Sequence, residues 1–498
     1  MKILLLNPPD KETVQEFPDE EGNSYIDTED FGFFPPLGLL YVLSSIEKER
    51  PHHEYFFKDA VAERCSYDKL EAYLKEVQPD IVGITSFTIS LVDICRTGEL
   101  VRKVCGDDVK ICLGGHHPIA FPVEAAQLPQ FDCIVVGEGE HAFVGLVDAW
   151  ENNTDINKVF GVYTKEKMEH FKDKTIEDKR FLKSVSVPAA YVDDLTTIPI
   201  PNREYIRHIK YSSVVGVSSD LATIISTRGC PFLCTFCDVP YKKYRTRPVD
   251  DVLDEVEACM KMGYEEFHFY DDLFNIKAKK VIEFCDAVEA RGLKFTWSFR
   301  GRANAVTEES LRRSKQAGCR MISFGVETGT NAGLKELKKG VTTEKFVKVF
   351  RWCREIGIVS LADFIIGFPF ERTVKDIQTN LDFLISLDPD YAQIAVLMLL
   401  PNTPLYDEAL EKGIVKPGVW EEFCLNPTPD FELSYWTEFH DLSTLVALQT
   451  AAYRKFYFRP KYILRSLLKT SSFYELKTKA KGGFKLFFSK IKASVTSE

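Results

Sequence analysis

The 498-residue chain contains no apolar run long enough to cross a membrane; its longest, 394–400, suits a single strand. The first residues lack the cationic, apolar, small-residue order of a secretory signal, and 2–7 reads as a strand. Together these absences predict a cytoplasmic protein. An excess of positive charge is also missing. The net charge is −11, which argues against nucleic acid as a partner. A C-x₂-C unit occurs once, at 234–237, with no second to pair with it, so the usual four-ligand zinc pattern is missing too. Thirteen cysteines in a cytosolic chain are expected to be reduced. Ten are scattered singly and read as small buried hydrophobes.

What is present is an ordinary globular composition, 45% hydrophobic and 28% charged, in a chain long enough for two or three domains. The remaining three cysteines, Cys230, Cys234 and Cys237, stand together in Ser-Thr-Arg-Gly-Cys-Pro-Phe-Leu-Cys-Thr-Phe-Cys, directly after the apolar segment 222–225. Soft thiolates on one tight loop suit iron, and three of them leave one iron of a 4Fe–4S cube without a protein ligand. A three-cysteine zinc site and buried structural thiols are the bland alternatives.

This loop and its setting resemble the radical S-adenosylmethionine (SAM) superfamily. The resemblance implies a cluster whose open iron binds SAM and whose electron cleaves it to a 5′-deoxyadenosyl radical. Phe236 matches the family's aromatic position near the adenine. The β-then-α rhythm from Ala222 onward, with six strands at 222–226, 266–270, 294–298, 321–324, 360–366 and 391–400, predicts a partial (β/α)₆ barrel. Its site belongs at the carboxyl ends of the strands. Polar residues gather there. By the resemblance, Glu327 would hold the ribose hydroxyls of SAM and Asp271 and Asp272 match an acidic pair facing SAM or substrate. Arg300 could pair with the SAM carboxylate. Helix capping is the competing reading of the acids. No residue is assigned a catalytic role.

Residues 1–160 alternate strands (2–7, 54–58, 81–85, 109–113, 133–136) with helical patterns, which predicts a doubly wound parallel sheet, Rossmann-like. Small and polar residues end these strands: Ser86 and Thr88, Gly114 and Gly115, Gly137 and Glu138. The arrangement resembles the cobalamin-binding domain found ahead of many radical SAM barrels, in which the hydroxyl and Gly-Gly loops flank the nucleotide tail. The Asp-x-His-x-x-Gly motif is missing, and neither His116 nor His117 has its context, so cobalt is expected to take no histidine from this domain. A sheet without ligand is the alternative.

Residues 161–215 read as a linker, 216–410 as the barrel, and 411–498 as a helical C-terminal region. The aromatic stretch 416–445 is expected over the barrel mouth. Residues 454–498 hold 12 Lys or Arg and two acids, leaving about −21 on the rest. Phe484, Phe487, Phe488 and Ile491 follow helical spacing among lysines. Such a basic amphipathic helix suits an anionic bilayer, on the inner face of the membrane, or the acidic body of the protein itself.

The resemblance thus implies a cobalamin-dependent radical SAM enzyme that takes hydrogen from an unactivated carbon and most often transfers a methyl group from methylcobalamin. A reduced flavodoxin or ferredoxin would supply electrons, and the substrate would be a small or lipid-like molecule. Ring formation or skeletal rearrangement with the same cofactors is the alternative. A non-catalytic iron–sulfur or zinc scaffold is the reading from another class.

Overall fold

The computed structural model describes residues 1–13, 32–174, 176, 180, 187–470 and 472–488, the last six without their side chains. The chain divides into two compact units. Of the described residues, the first comprises 1–13, those from Phe33 to Tyr211, and Pro417–Glu432; the second comprises Gly32, Ser212–Lys416 and those from Leu433 onward.

The first unit is built on a six-stranded sheet. Its strands are β1 (Lys2–Asn7), β2 (Glu54–Asp59), β3 (Ile81–Ser86), β4 (Lys110–Gly115), β5 (Cys133–Val135) and β6 (Val162–Tyr163). They lie in the order β2-β1-β3-β4-β5-β6, parallel except for β6. Helices α1 (Leu37–Glu49), α2 (Tyr67–Val77), α3 (Leu91–Cys105) and α4 (Gly139–Glu151) make the connections. Ile3, Leu4, Leu5 and Leu6 are all buried, as a strand covered on both faces requires. The strand order reverses between β1 and β3, and ligands of such sheets bind beyond the carboxyl ends at that point.

The second unit carries six parallel strands in sequential order: β7 (Leu221–Ile224), β8 (Glu266–Phe269), β9 (Thr296–Gly301), β10 (Cys319–Glu327), β11 (Val359–Ile366) and β12 (Tyr391–Val396). β7 and β12 are its two edges, so the barrel is partial. Helices α5 (Val249–Lys261), α6 (Ala278–Ala290), α7 (Glu308–Gln316), α8 (Thr343–Ile356) and α9 (Val374–Leu387) alternate with the strands. Local signals set their limits. Thr373 and Asp376 form a reciprocal capping box on α9, and Gly357 ends α8 at φ +81°.

The two-unit α/β architecture is as the sequence predicted, with two differences, and the basic tail follows one of the two readings the sequence left open. β12 ends at Val396 rather than at 400, because the chain then leaves the parallel sheet: Met398 bridges Tyr435 in antiparallel sense and the Leu399 N–H donates to Ser434 O at 2.8 Å. The aromatic stretch does not act as one piece. In the first unit, α10 (Val419–Leu425) packs Trp420 against Phe121, their rings 6.3 Å apart. Residues from Leu433 onward belong to the second unit. The basic tail docks on acids of its own unit, through α11 (Leu442–Tyr457), α12 (Pro460–Leu468) and α13 (Phe473–Phe488). Arg465 and Arg459 pair with Asp388, Lys469 with Asp390, and Lys455 with Asp382. Of the expected amphipathic face, the side chains of Phe484, Phe487 and Phe488, and all of Ile491, lie outside the described residues.

Candidate functional site

The cysteine loop follows β7. Its approach is held by Asp271, just past β8, which accepts hydrogen bonds from the Ser226 N–H (2.7 Å), the Thr227 N–H (2.9 Å) and the Ser226 hydroxyl (2.5 Å). Both oxygens of this buried carboxyl are thereby occupied, and burial pushes it up to about 7. Asp271 thereby organises the turn into the loop. Asp272 is exposed and accepts from the Gly229 N–H at 2.8 Å. Gly229 lies at φ +85°, and a Cβ there would meet Lys243 O at 2.4 Å, so only glycine leads cleanly into Cys230. Neither acid caps a helix.

Cys230, Cys234 and Cys237 are all half-exposed, whereas nine of the other ten cysteines are buried. Burial of the sulfurs raises the Cys230 thiol and pushes Cys237 up to about 12. Metal would therefore displace protons from this loop. A cation stands by: Arg302 Nη1 donates to Cys234 Sγ at 3.4 Å and the guanidinium lies 3.8 Å from the Phe232 ring centre. Arg302 is itself clamped. Its N–H donates to Asn275 Oδ1 at 2.8 Å, the Asn275 amide returns a bond to Arg302 O at 3.0 Å, and Nη2 donates to Lys339 O. Three soft ligands beside one positive group fit an iron–sulfur cluster, whose thiolates carry negative charge.

Glu327 ends β10 in the left-handed region, at φ +65°, where a bulge shifts the register against β11. Non-glycine residues rarely sit there, and such outliers collect at functional sites. Its Oε1 accepts from Lys339 Nζ at 2.9 Å, a pair in which both side chains are under 10% exposed. The same Nζ lies 5.7 Å from the Phe236 ring centre. A Cβ on Gly325 would fall 2.3 Å from Glu327 Oε1, so the missing side chain makes room for the pair. Arg300 is exposed, 6.0 Å from the Tyr270 ring centre, and its charge opposes the upward push of burial on the Asp363 carboxyl. Asp363 bonds the Ser323 hydroxyl at 2.5 Å, and its Oδ1 has no partner. Cys234, Phe236, Arg302, Glu327 and Lys339 thus form one continuous constellation at the carboxyl ends of the strands. Asn275, Lys339 and Asp363 escaped the sequence reading.

The loop after β11 is fixed by Glu371. Its Oε2 accepts from the Gly367 N–H at 2.7 Å and the Phe368 N–H at 3.0 Å, and Asn380 donates to Oε1 at 2.5 Å. Phe368 meets Phe236 edge-on, 6.0 Å away. Burial pushes Glu371 up to about 7. An acid whose folded value is raised contributes stability below its unfolded value, near 4.5, and loses it as pH rises through about 7. The thermal midpoint of the protein is therefore expected to fall between about pH 4.5 and about pH 7 and to level off above that. Glu371→Gln should flatten that fall, as read by calorimetry across pH.

In the first unit, the Ser86 hydroxyl donates to Gly114 O at 2.6 Å and ties the two loops together. Gly115 stands at φ +94°, with Ser86 N 2.5 Å from the position of a Cβ. Gly114 has nothing within 4 Å of its Cβ position, so the loop presents open backbone there. Thr88 Oγ1 pairs with Nδ1 of His117 at 3.1 Å. His117 is completely buried, and burial lowers it to about 3. Glu138 is buried and accepts from the Val192 N–H at 2.6 Å, and Gly137 bridges Ala190.

The comparisons agree with both halves. Residues 224–384 match the Radical SAM superfamily and residues 28–147 match the B12 binding domain. The chain thus carries a radical SAM domain preceded by a B12-binding domain, and it is an enzyme whose cofactors are SAM, a 4Fe–4S cluster and cobalamin. It is 27% identical over 478 residues to an uncharacterized methyltransferase of Pyrococcus horikoshii, covering 95% of this chain and 96% of that protein. It is 29% identical over 385 residues to the anaerobic magnesium-protoporphyrin IX monomethyl ester cyclase of Cereibacter sphaeroides, covering 76% of this chain but 60% of that relative's length. In fold it is similar to the cobalamin-dependent SAM radical enzyme OxsB with aqua-cobalamin bound, with a TM-score of 0.68 at 18% identity over 98% of this chain and 72% of the other.

Proposed function

We propose that this chain transfers a methyl group to an unactivated carbon of a small or lipid-like substrate. The observation that carries this reading is the end-to-end match, 95% of one chain and 96% of the other, to a relative described as a methyltransferase. When bound, the cluster supplies the electron that splits SAM and cobalamin supplies the methyl group. The chain's residues have separate tasks. Cys230, Cys234 and Cys237 ligate three irons, and Arg302 offsets charge at the Cys234 sulfur. Phe236 lies along the adenine, Arg300 meets the SAM carboxylate, and Glu327, steadied by Lys339 on one oxygen, offers the other to the ribose. Asp272 is left to face SAM or substrate. Ser86, Thr88, Gly114, Gly115, Gly137 and Glu138 line the cobalamin loops. Phe236 and Phe368 exclude water, and a reduced flavodoxin or ferredoxin is the electron donor. The similarity to a cyclase favours ring closure as the second reading. Mass spectrometry of extracts with and without the gene separates them. Methyl transfer adds one CH₂ to a metabolite, whereas ring closure removes hydrogen without adding carbon.

The lipid side of this reading rests on the tail. On and beside α12, Leu464, Leu467, Leu468 and Phe473 are 63%, 55%, 79% and 81% exposed. Lys461, Lys477 and Lys481 stand exposed nearby. Buried in a bilayer, each large apolar side chain contributes about 1.5–3 kcal/mol, and anionic headgroups attract the lysines. Replacing Leu464, Leu468 and Phe473 together by Ser is expected to lower sedimentation with anionic vesicles at least about tenfold. Equal sedimentation of parent and variant would end the membrane proposal.

A further inference from the structure

At the amino ends of the first unit's strands, opposite the loops of Ser86 and Gly114, two histidines just before β2 meet the last residue of α4. We propose that His52, His53 and Glu151 bind one divalent transition-metal ion of the zinc type. His52 Nε2 lies 3.1 Å from Glu151 Oε1, and His53 Nε2 lies 3.7 Å from Oε2. One donor atom from each residue lies within 4.8 Å of the others. Zinc takes imidazole nitrogen and carboxylate oxygen at about 2.0–2.2 Å, which sets tetrahedral ligands roughly 3.4 Å apart, close to the separations here. Water would complete the set.

A second observation points to the same ion. The His53 side chain is 1% exposed, and its Nε2, 3.7 Å from Glu151 Oε2, has no hydrogen-bond partner among the described residues. Leaving a buried polar nitrogen unpaired is costly. A metal bond would remove that cost. Nδ1 of the same ring lies 3.2 Å from the amino nitrogen of Met1, so Nε2 is the nitrogen to offer. The nearest guanidinium, Arg50, is engaged by both oxygens of Asp148. The ion would clip the start of β2 to the end of α4 across nearly a hundred residues of chain, and its role is structural and independent of the cofactors.

The test uses the full-length protein with its iron–sulfur cluster reconstituted anaerobically, so that Cys230, Cys234 and Cys237 do not take the added metal. Parent, His52→Ala and Glu151→Gln proteins are equilibrated with zinc chloride and desalted, and zinc and iron are counted by mass spectrometry. The parent is expected to hold one zinc beyond any held by the variants, with affinity at least about tenfold above theirs and iron content unchanged in all three. Zinc should also raise the thermal midpoint of the parent and not that of His52→Ala. The side chain of His52 is 57% exposed, so its removal leaves the fold intact and the comparison decisive. Equal zinc content and affinity in parent and His52→Ala would overturn the site.

Discussion

Cys234→Ala is expected to reduce 5′-deoxyadenosine formation to background in anaerobically reconstituted protein and to lower bound iron sharply. Cys234 is the middle ligand of the loop and the one whose sulfur receives the Arg302 guanidinium, at 3.4 Å. Alanine removes a ligand for which the sequence offers no near substitute, because the buried cysteines outside the loop stand singly, all but Cys65 within strands and helices. The control is Cys105→Ala. Cys105 is half-exposed like the trio, yet it stands alone at the end of α3, so iron content and turnover should match the parent. The assay follows 5′-deoxyadenosine by liquid chromatography with iron measured on the same sample. Turnover by Cys234→Ala at the parent rate would remove the cluster from the mechanism.

Lys339→Met is expected to cost the protein about 3–5 kcal/mol, the usual result of leaving one charge of a buried pair without its partner. Lys339 and Glu327 are 8% and 9% exposed at the side chain, and the lysine reaches Glu327 Oε1 at 2.9 Å. Glu327 already bears an unfavourable backbone at φ +65°, so the pair also holds that carboxylate in place. The double variant Glu327→Gln with Lys339→Met should recover much of the stability, because no charge is then left stranded, while SAM cleavage stays impaired. Thermal unfolding gives the first quantity and 5′-deoxyadenosine yield the second. If Lys339→Met unfolds at the same temperature as the exposed-site variant Lys348→Met, the buried pair has no such weight.

Both predictions depend on a site of which one part is written locally and another is not. The cysteine loop is local: three thiols within eight residues leave few chemical readings, and the strand before them and the glycine at φ +85° follow from short-range pattern. The paired glycines of the first unit are local in the same way. Asn275 is different. It grips Arg302 over 27 positions, as Lys339 grips Glu327 over 12 and Ser323 meets Asp363 over 40. Such partners have no fixed spacing in the chain; they meet because β8, β9, β10 and β11 stand in register. Asp271 was legible as an acid at a strand end, but its commitment to Ser226 and Thr227 depends on β8 lying beside β7.

The C-terminal region shows the same division. Its basic charge and helical spacing are plain in the sequence, whereas the docking of Arg465 on Asp388 and Lys469 on Asp390, and the seating of Trp420 on Phe121, depend on surfaces that distant segments build. The order of strands and helices and the thiol loop were determined by the sequence alone, because periodicity and ligand spacing act within a few residues. Which acid braces the turn into the loop and which lysine pairs with a buried carboxylate were decided by tertiary structure. Those outcomes depend on desolvation and on contacts under 4 Å, and neither exists until the sheet has closed around them.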